Sequence, residues 1–108
     1  MEGQAFLNIK MHRYERALRI YEKMLEIEER RGTSSTVHHL TIAKLLGKMS
    51  FAYLKMHKNR AALACLKGVL ANQEAVLPPD DPSITQTRNF MSDIKTRLRK
   101  ERENKEKA

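Results

Sequence analysis

Apolar residues recur three and four positions apart along most of this chain, which is the spacing of one face of an α-helix. The clearest series fall in four segments, Tyr14 to Leu25, Ile42 to Met56, Ala62 to Leu77, and Ile84 to Leu98. A shorter series at Ala5, Phe6 and Ile9 is typical of the end of one more helix. No useful length of chain alternates apolar and polar residues with the period of two expected of a strand. The pattern predicts an all-α chain of about five helices.

Residues that end or begin helices separate these segments. Gly32 follows two arginines, which is typical of a helix C-terminus, and the hydroxyl-rich stretch 33–36 can cap the next helix. The proline-rich stretch 78–82 must end a helix, and Asp81 with Pro82 then predicts the cap and the first residue of the following helix. Tighter turns are expected at residues 11–13 and 57–59. Helical hairpins are therefore predicted to alternate with longer connections.

Two nine-residue stretches are nearly the same, KMHRYERAL from position 10 and KMHKNRAAL from position 55, which is a shift of 45. With this shift Ala17-Leu18 falls on Ala62-Leu63, and apolar positions continue to match, as Leu45-Leu46 does with Phe90-Met91. Such self-similarity is typical of helical repeat arrays, in which each unit buries its apolar face against its neighbour. The alternative is an unrelated antiparallel helix bundle whose hairpins look alike by chance.

A string of small and large residues resembles the helix-pair pattern of the tetratricopeptide repeat family, namely Leu46, Met49, Ser50, Tyr53, Ala62, Leu66 and Val69. Ala62 is the small position at which two helices approach closely in that pattern. The joint at 77–84, LPPDDPSI, and the long period resemble the kinesin-light-chain subtype. The resemblance implies a short solenoid of helical hairpins, about two and a half repeats over residues 1–98, and a charged helical tail at 99–108 that extends into solvent.

The resemblance also implies a binding surface, because the first helix of each pair lines a concave groove in tetratricopeptide arrays. The groove positions that it assigns to partner binding are Lys10, Lys44, Lys48, Phe51, Lys55, Asn89, Ser92, Thr96 and Lys100. Lysine recurs among them, so the expected ligand is an acidic extended or helical segment of a protein partner, with Phe51 as an apolar contact. The alternative is that these lysines are ordinary solvated side chains.

The charge balance also favours an acidic partner. The 108 residues include 21 Lys and Arg against 13 Asp and Glu, a formal net charge of +8. Residues 95–108 hold half of this excess, with seven Lys or Arg and three Glu. A basic balance suits RNA or another polyanion as well, although the usual aromatic stacking platform for RNA is missing. Nucleic-acid binding is therefore the alternative to protein binding.

Candidate chemistry is sparse in this sequence. Cys65 is expected to be a small core residue, because no base or oxyanion donor is patterned with it. Adjacent His38 and His39 point about 100° apart on a helix, unlike a metal-binding pair spaced by four. We therefore expect no catalytic residue, no metal and no cofactor. No apolar run approaches the roughly 20 residues of a membrane span.

Together these features predict a non-catalytic protein-interaction module that acts as a scaffold, an adaptor or a structural subunit of a larger assembly. Two and a half repeats are few for an independent array, so we expect partners or a second copy of the chain to cover its ends. A single cysteine allows no intrachain disulfide, which suits the cytoplasm. A cytoskeletal or ciliary setting follows from the subtype by analogy alone.

Overall fold

The computed structural model describes the backbone of residues 2–32 and 34–107, and the side chains of residues 11–32 and 34–107. Four α-helices make up almost all of this described part, and no strand occurs in it. Their bounds are α1 Glu2–Arg30, α2 Thr36–Lys55, α3 Asn59–Val76 and α4 Pro82–Lys107. The all-α prediction is confirmed, whereas the prediction of about five helices is wrong. None of the helices, as far as they are described, is both long enough and apolar enough to cross a membrane.

The continuity of α1 accounts for the missing fifth helix. The repeat predicts a turn at residues 11–13, but α1 runs through them without interruption. The corresponding turn after α2 does form: His57 has a left-handed φ of 61°, and Lys58 N–H donates to Tyr53 O at 2.8 Å. Tyr14 stands where the second copy has Asn59 (14 + 45 = 59). Asn59 is the first residue of α3 and its side chain donates to Glu101, whereas Tyr14 packs against the core between α1 and α2.

The two longer connections follow the capping chemistry of the sequence. Gly32 has a φ of 63°, the left-handed conformation predicted for the end of α1. Ser35 Oγ accepts from His38 N–H at 3.2 Å and caps α2. At the start of α4, Asp81 Oδ1 accepts a backbone N–H from two residues further on at 2.8 Å, and Pro82 is the first helical residue, as predicted. Local sequence therefore determines both joints.

Consecutive helices pack on one another, α1 on α2, α2 on α3 and α3 on α4. One core cluster joins α1 to α2, with the buried residues Leu18, Met49, Ala52 and Met56. A second joins α2, α3 and α4, with the buried residues Ala43, Ala62, Leu66, Val69, Met91 and Ile94. Burial of these apolar side chains is the main stabilising contribution to such a stack of helices.

The two alanines of the repeat pattern differ in burial. Ala62 is completely buried, with 0% exposure, as its predicted place between close-packed helices requires. Its counterpart one repeat earlier, Ala17, is only partly buried. The difference arises because α3 packs between α2 and α4, whereas α1 packs on α2 alone within the described residues.

The C-terminal part of α4 extends beyond the core. Leu98 packs against the second core cluster, and every residue from 99 to 107 is exposed. One contact joins this segment to the start of α3, where Asn59 Nδ2 donates to Glu101 Oε1 at 3.0 Å. The charged segment is thus a helical continuation of α4 that lies largely in solvent.

Candidate functional site

A concave cleft opens between α2 and α4, which we call the α2/α4 cleft. Both helices pack on α3, and no Cα atoms of α2 and α4 come within 8 Å of each other over their described lengths. The cleft measures about 240 Å³ and is lined by Gly47, Ser50, Phe51, Leu54, Leu66, Val69, Thr87 and Phe90. Because three helices contribute these residues, only the packed chain creates the cleft.

Two aromatic side chains border the cleft from opposite helices, Phe51 on α2 and Phe90 on α4. They are 57% and 50% exposed, whereas Leu66 and Val69 on α3 are buried. A single exposed apolar side chain is ordinary, but two large ones at one concavity are typical of a ligand site. The cleft therefore presents solvent-accessible apolar walls above a buried floor.

The polar groups of the cleft already have hydrogen-bond partners. Ser50 Oγ donates to Gly47 O at 2.7 Å. Thr87 Oγ1 lies 2.8 Å from Gln73 Oε1 and 3.0 Å from Ser83 O. A site with satisfied polar groups gains little from a polar ligand and more from covering its apolar surface. At Gly47 there is open space, since a Cβ there would meet nothing within 4 Å. The chemistry of the cleft suits an apolar side chain of a ligand.

Three lysines of α2 lie, by helix geometry, next to the face that lines the cleft, and we call them the α2 rim. Lys44, Lys48 and Lys55 are exposed and form no ion pair within the described residues. Lys55 Nζ lies 5.2 Å from the centroid of the Phe51 ring, a cation–π distance, so positive charge and aromatic surface meet at one point. Lys48 leans towards α1, with its Nζ 5.9 Å from the Tyr21 ring centroid. The rim favours an anionic group beside the apolar one.

Part of the predicted binding set comes together on α2. Phe51 lines the cleft, and the three rim lysines accompany it on the exposed side of the same helix. Lys55 also lines a second depression of about 600 Å³, together with Lys100 of α4. The side chain of Lys10, which the resemblance also assigns to the groove, lies outside the described residues.

The α4 part of the predicted set does not line the cleft. Asn89 and Ser92 are exposed elsewhere on the helix, and Thr96 Oγ1 donates to Ser92 O at 3.0 Å. Phe90 of α4 lines the cleft instead. The 45-residue shift aligns Phe90 with Leu45, which is buried, and would therefore place Phe90 in the core. Successive helix residues are turned by about 100°, so an error of one residue moves a side chain off the groove. The sequence does indicate that Phe90 is exposed, because it falls outside the periodic series of α4 that is buried, namely Ile84, Thr87, Met91 and Ile94.

The side chains that could act as metal ligands or as a nucleophile are hydrogen-bonded to neighbouring side chains or are partly buried. His38 Nδ1 lies 3.0 Å from Glu28 Oε1, and His39 Nδ1 lies 2.9 Å from Asn72 Oδ1. Burial raises the pKa of the Cys65 thiol, which favours its unreactive protonated form. Over the described residues, no group of three His, Cys, Asp or Glu side chains is arranged to hold a metal ion. The expectation of a non-catalytic chain stays a prediction.

None of three comparisons, with family models, with curated proteins and with solved structures, found a match to this chain. The resemblance to tetratricopeptide repeats therefore stays a prediction that rests on the residue pattern. The geometry of the α2/α4 cleft bears on function independently of that resemblance.

Proposed function

We propose that this chain is a non-catalytic protein-interaction module whose α2/α4 cleft binds an acidic segment of a partner protein. One apolar side chain of that segment lies between Phe51 and Phe90, and its carboxylates lie near the lysines of the α2 rim. The observation that carries the proposal is that two half-exposed aromatic rings border one cleft and that the exposed Lys55 lies 5.2 Å from one of them, Phe51. The combination suits an apolar anchor flanked by negative charge.

The two components of the site contribute differently to binding. Complete burial of a Phe side chain contributes about 1.5–3 kcal/mol, and roughly half of that is still available at each half-exposed ring. An exposed ion pair contributes only about 0–1 kcal/mol, but complementary charge raises the association rate and selects acidic partners. Affinity is therefore expected to depend on the aromatic pair and partner choice on the lysines.

The proposal extends to a tetratricopeptide-type architecture, with α2 and α3 as one helical hairpin. The tight turn at His57, the buried Ala62 and the packing of each helix on the next support this architecture. In a stacked array of this kind the terminal faces accept further helices, so the chain acts as a scaffold, an adaptor or a subunit of a larger assembly. A cytoplasmic, cytoskeletal or ciliary setting follows from the family analogy alone.

Fluorescence anisotropy with a labelled acidic peptide that carries one central Phe tests the proposal. We expect this peptide to bind, and its twin with Ala at the centre to bind at least about tenfold more weakly. Phe51→Ala with Phe90→Ala should reduce affinity to the same extent, and charge reversal of the three rim lysines should also weaken binding. Lys67→Glu, at an exposed lysine on α3, is the matched charge control for Lys55→Glu alone, because each change alters the net charge equally. Unchanged affinity in the aromatic variant would contradict the proposal.

Binding of RNA or another polyanion is the second candidate. Four cationic side chains surround a depression of about 320 Å³ near the end of α4, which is lined by Arg60, Lys95, Leu98, Arg99 and Arg102. This candidate predicts that single-stranded RNA binds with a steep dependence on salt and without dependence on Phe51 or Phe90. Arg99→Glu with Arg102→Glu should then weaken RNA binding. The acidic peptide, in contrast, should not respond to that pair of changes.

A further inference from the structure

Helix α1 carries an exposed apolar row that the α2/α4 cleft does not include. Ile20, Met24 and Ile27 are 58%, 48% and 58% exposed, and the partly buried Ala17 precedes them. We call these four residues the α1 seam. Their spacing of three, four and three is the spacing of a seam between two packed helices, and it covers about 15 Å of the helix axis.

The other side of α1 already has its partner. Leu18 is buried against α2, and Tyr14, Tyr21 and Leu25 pack around the same core cluster. The α1 seam is turned away from this face by roughly a third of a turn. Within the described residues no helix packs on α1 except α2. The seam is thus a second apolar face without a neighbour in the described chain.

The charges along the open border of the α1 seam are all positive. Arg16, Lys23 and Arg30 follow one another at intervals of seven and border the seam on its open side. All three are exposed and form no ion pair within the described residues. Four glutamates of α1 lie on the next face of the helix, beyond this basic row, namely Glu15, Glu22, Glu26 and Glu29. A helix laid on the seam would therefore place one of its flanks next to positive charge.

This charge pattern opposes a second copy of the chain as the occupant. Antiparallel pairing of two α1 helices places the basic row of one against the basic row of the other, which is repulsive. Parallel pairing places the basic row of one copy against the opposite border of the other copy's seam. The carboxylate at that border, Glu28, is 8% exposed and is already joined to His38 and Arg31. Neither orientation offers free carboxylates to the three cations, and each copy carries a net charge of +8.

We propose that the α1 seam is a docking site for an amphipathic helix of a partner protein, with apolar residues facing Ile20, Met24 and Ile27 and acidic residues facing Arg16, Lys23 and Arg30. The seam belongs to a different helix from the α2/α4 cleft. The two surfaces are therefore independent, and one chain joins an acidic segment at the cleft to an acidic helix at the seam.

Designed helical peptides of 21 residues test the site on the 108-residue chain. One peptide has Leu at the seam positions and Glu at both flanks, and its twin has Lys in place of Glu. Fluorescence anisotropy near physiological salt should show that the Glu peptide binds at least about tenfold more tightly than the Lys twin. Ile20→Ser with Ile27→Ser should weaken the Glu peptide at least about tenfold. Equal affinity of the two peptides, or an unchanged affinity of the serine variant, would overturn the proposal.

A second variant guards against loss of folding in the first. Arg16→Glu, Lys23→Glu and Arg30→Glu alter only exposed side chains, so helicity by circular dichroism should be retained and the preference should reverse towards the Lys twin. Phe90→Ser, in the α2/α4 cleft, should leave seam binding unchanged while it weakens the cleft ligand, which separates the two sites. Dimerisation in analytical ultracentrifugation that Ile20→Ser with Ile27→Ser abolishes would assign the seam to a second copy and reject an acidic partner.

Discussion

Glu28 Oε1 and His38 Nδ1 lie 3.0 Å apart and join the last turn of α1 to the first turn of α2. Both residues are more than nine-tenths buried, with exposures of 8% and 9%. The second carboxylate oxygen of Glu28 lies 3.3 Å from Arg31 Nη1. The contact therefore ties α1 to α2 at the loop, at the end of the pair where the apolar core between them stops.

Glu28→Ala should lower the free energy of unfolding by about 1–3 kcal/mol, because it leaves the buried ring nitrogen of His38 without its partner. Urea unfolding followed by circular dichroism measures the change. Glu29→Ala, at the exposed neighbouring position, should change stability by less than about 0.5 kcal/mol. Equal losses in the two variants would show that helix propensity is responsible and not the contact.

The two copies of the repeated stretch should respond oppositely to glycine. His57 has a φ of 61°, where a non-glycine residue is strained, so His57→Gly should raise stability by up to about 1 kcal/mol. His12 lies inside α1 and is exposed, so His12→Gly should lower stability by about 0.5 kcal/mol. Thermal unfolding of both variants decides the matter. A stabilising effect at both positions would mean that α1 also breaks at its copy of the turn.

Alanine should be accepted differently at the two glycines inside helices. A Cβ at Gly47 would meet nothing within 4 Å, so Gly47→Ala should stabilise the chain by about 0.5–1 kcal/mol through helix propensity. A Cβ at Gly68 would lie 2.6 Å from Leu46 Cδ1, so Gly68→Ala should lose part or all of that gain as Leu46 shifts. The comparison uses the denaturant midpoint of each variant. Equal gains would mean that α2 and α3 are packed less closely than described.

The Cys65 thiol should react slowly at neutral pH. Burial, and then the charge of Glu22, raise its pKa, so the thiolate fraction at a given pH is below that of a free cysteine. The pH midpoint of its reaction with a disulfide reagent should therefore lie above that of a cysteine peptide. Glu22→Gln should move the midpoint downwards, and Glu26→Gln should not. A midpoint equal to that of the peptide would show that Cys65 is open to solvent.

The same shift has a consequence for stability in alkaline solution. Because the folded pKa lies above the unfolded one, the thiol of the unfolded chain ionises first as pH rises. The contribution of the protonated Cys65 thiol to the free energy of unfolding is fully present below the unfolded pKa and is lost as pH rises through the folded pKa. Cys65→Ser should weaken this alkaline decline in the free energy of unfolding.

Local chemistry made several features predictable from the residues. Gly32 follows the end of α1 with a left-handed φ, and Asp81 with Pro82 starts α4, because capping depends on a few adjacent residues. The three- and four-residue spacing of apolar positions identified most of the buried residues of α2, α3 and α4, but it missed His38, Ala43 and Ser50 of α2. Ala62, which the pattern predicts as the small residue between two closely packed helices, is fully buried.

The failures concern residues whose surroundings come from elsewhere in the chain. The turn predicted at residues 11–13 does not form, although its counterpart at His57 does. Tyr14 packs against α2, whereas Asn59, at the corresponding position, is the first residue of α3. Phe90 matches Leu45 in the repeat, yet Leu45 is buried and Phe90 borders an open cleft. Similar residues at equivalent positions of a repeat can therefore have different tertiary contacts.

The sequence by itself determined that this chain is helical, that its longer joints fall at Gly32 and before Pro82, and that α2, α3 and α4 each carry a stripe suited to burial. Only the tertiary structure decided that α1 is one helix, that Phe51 and Phe90 share a cleft, and that Ile20 and Ile27 stay uncovered. The reason is physical: periodicity and capping act over a few residues, whereas exposure of a side chain depends on which other helix packs against it.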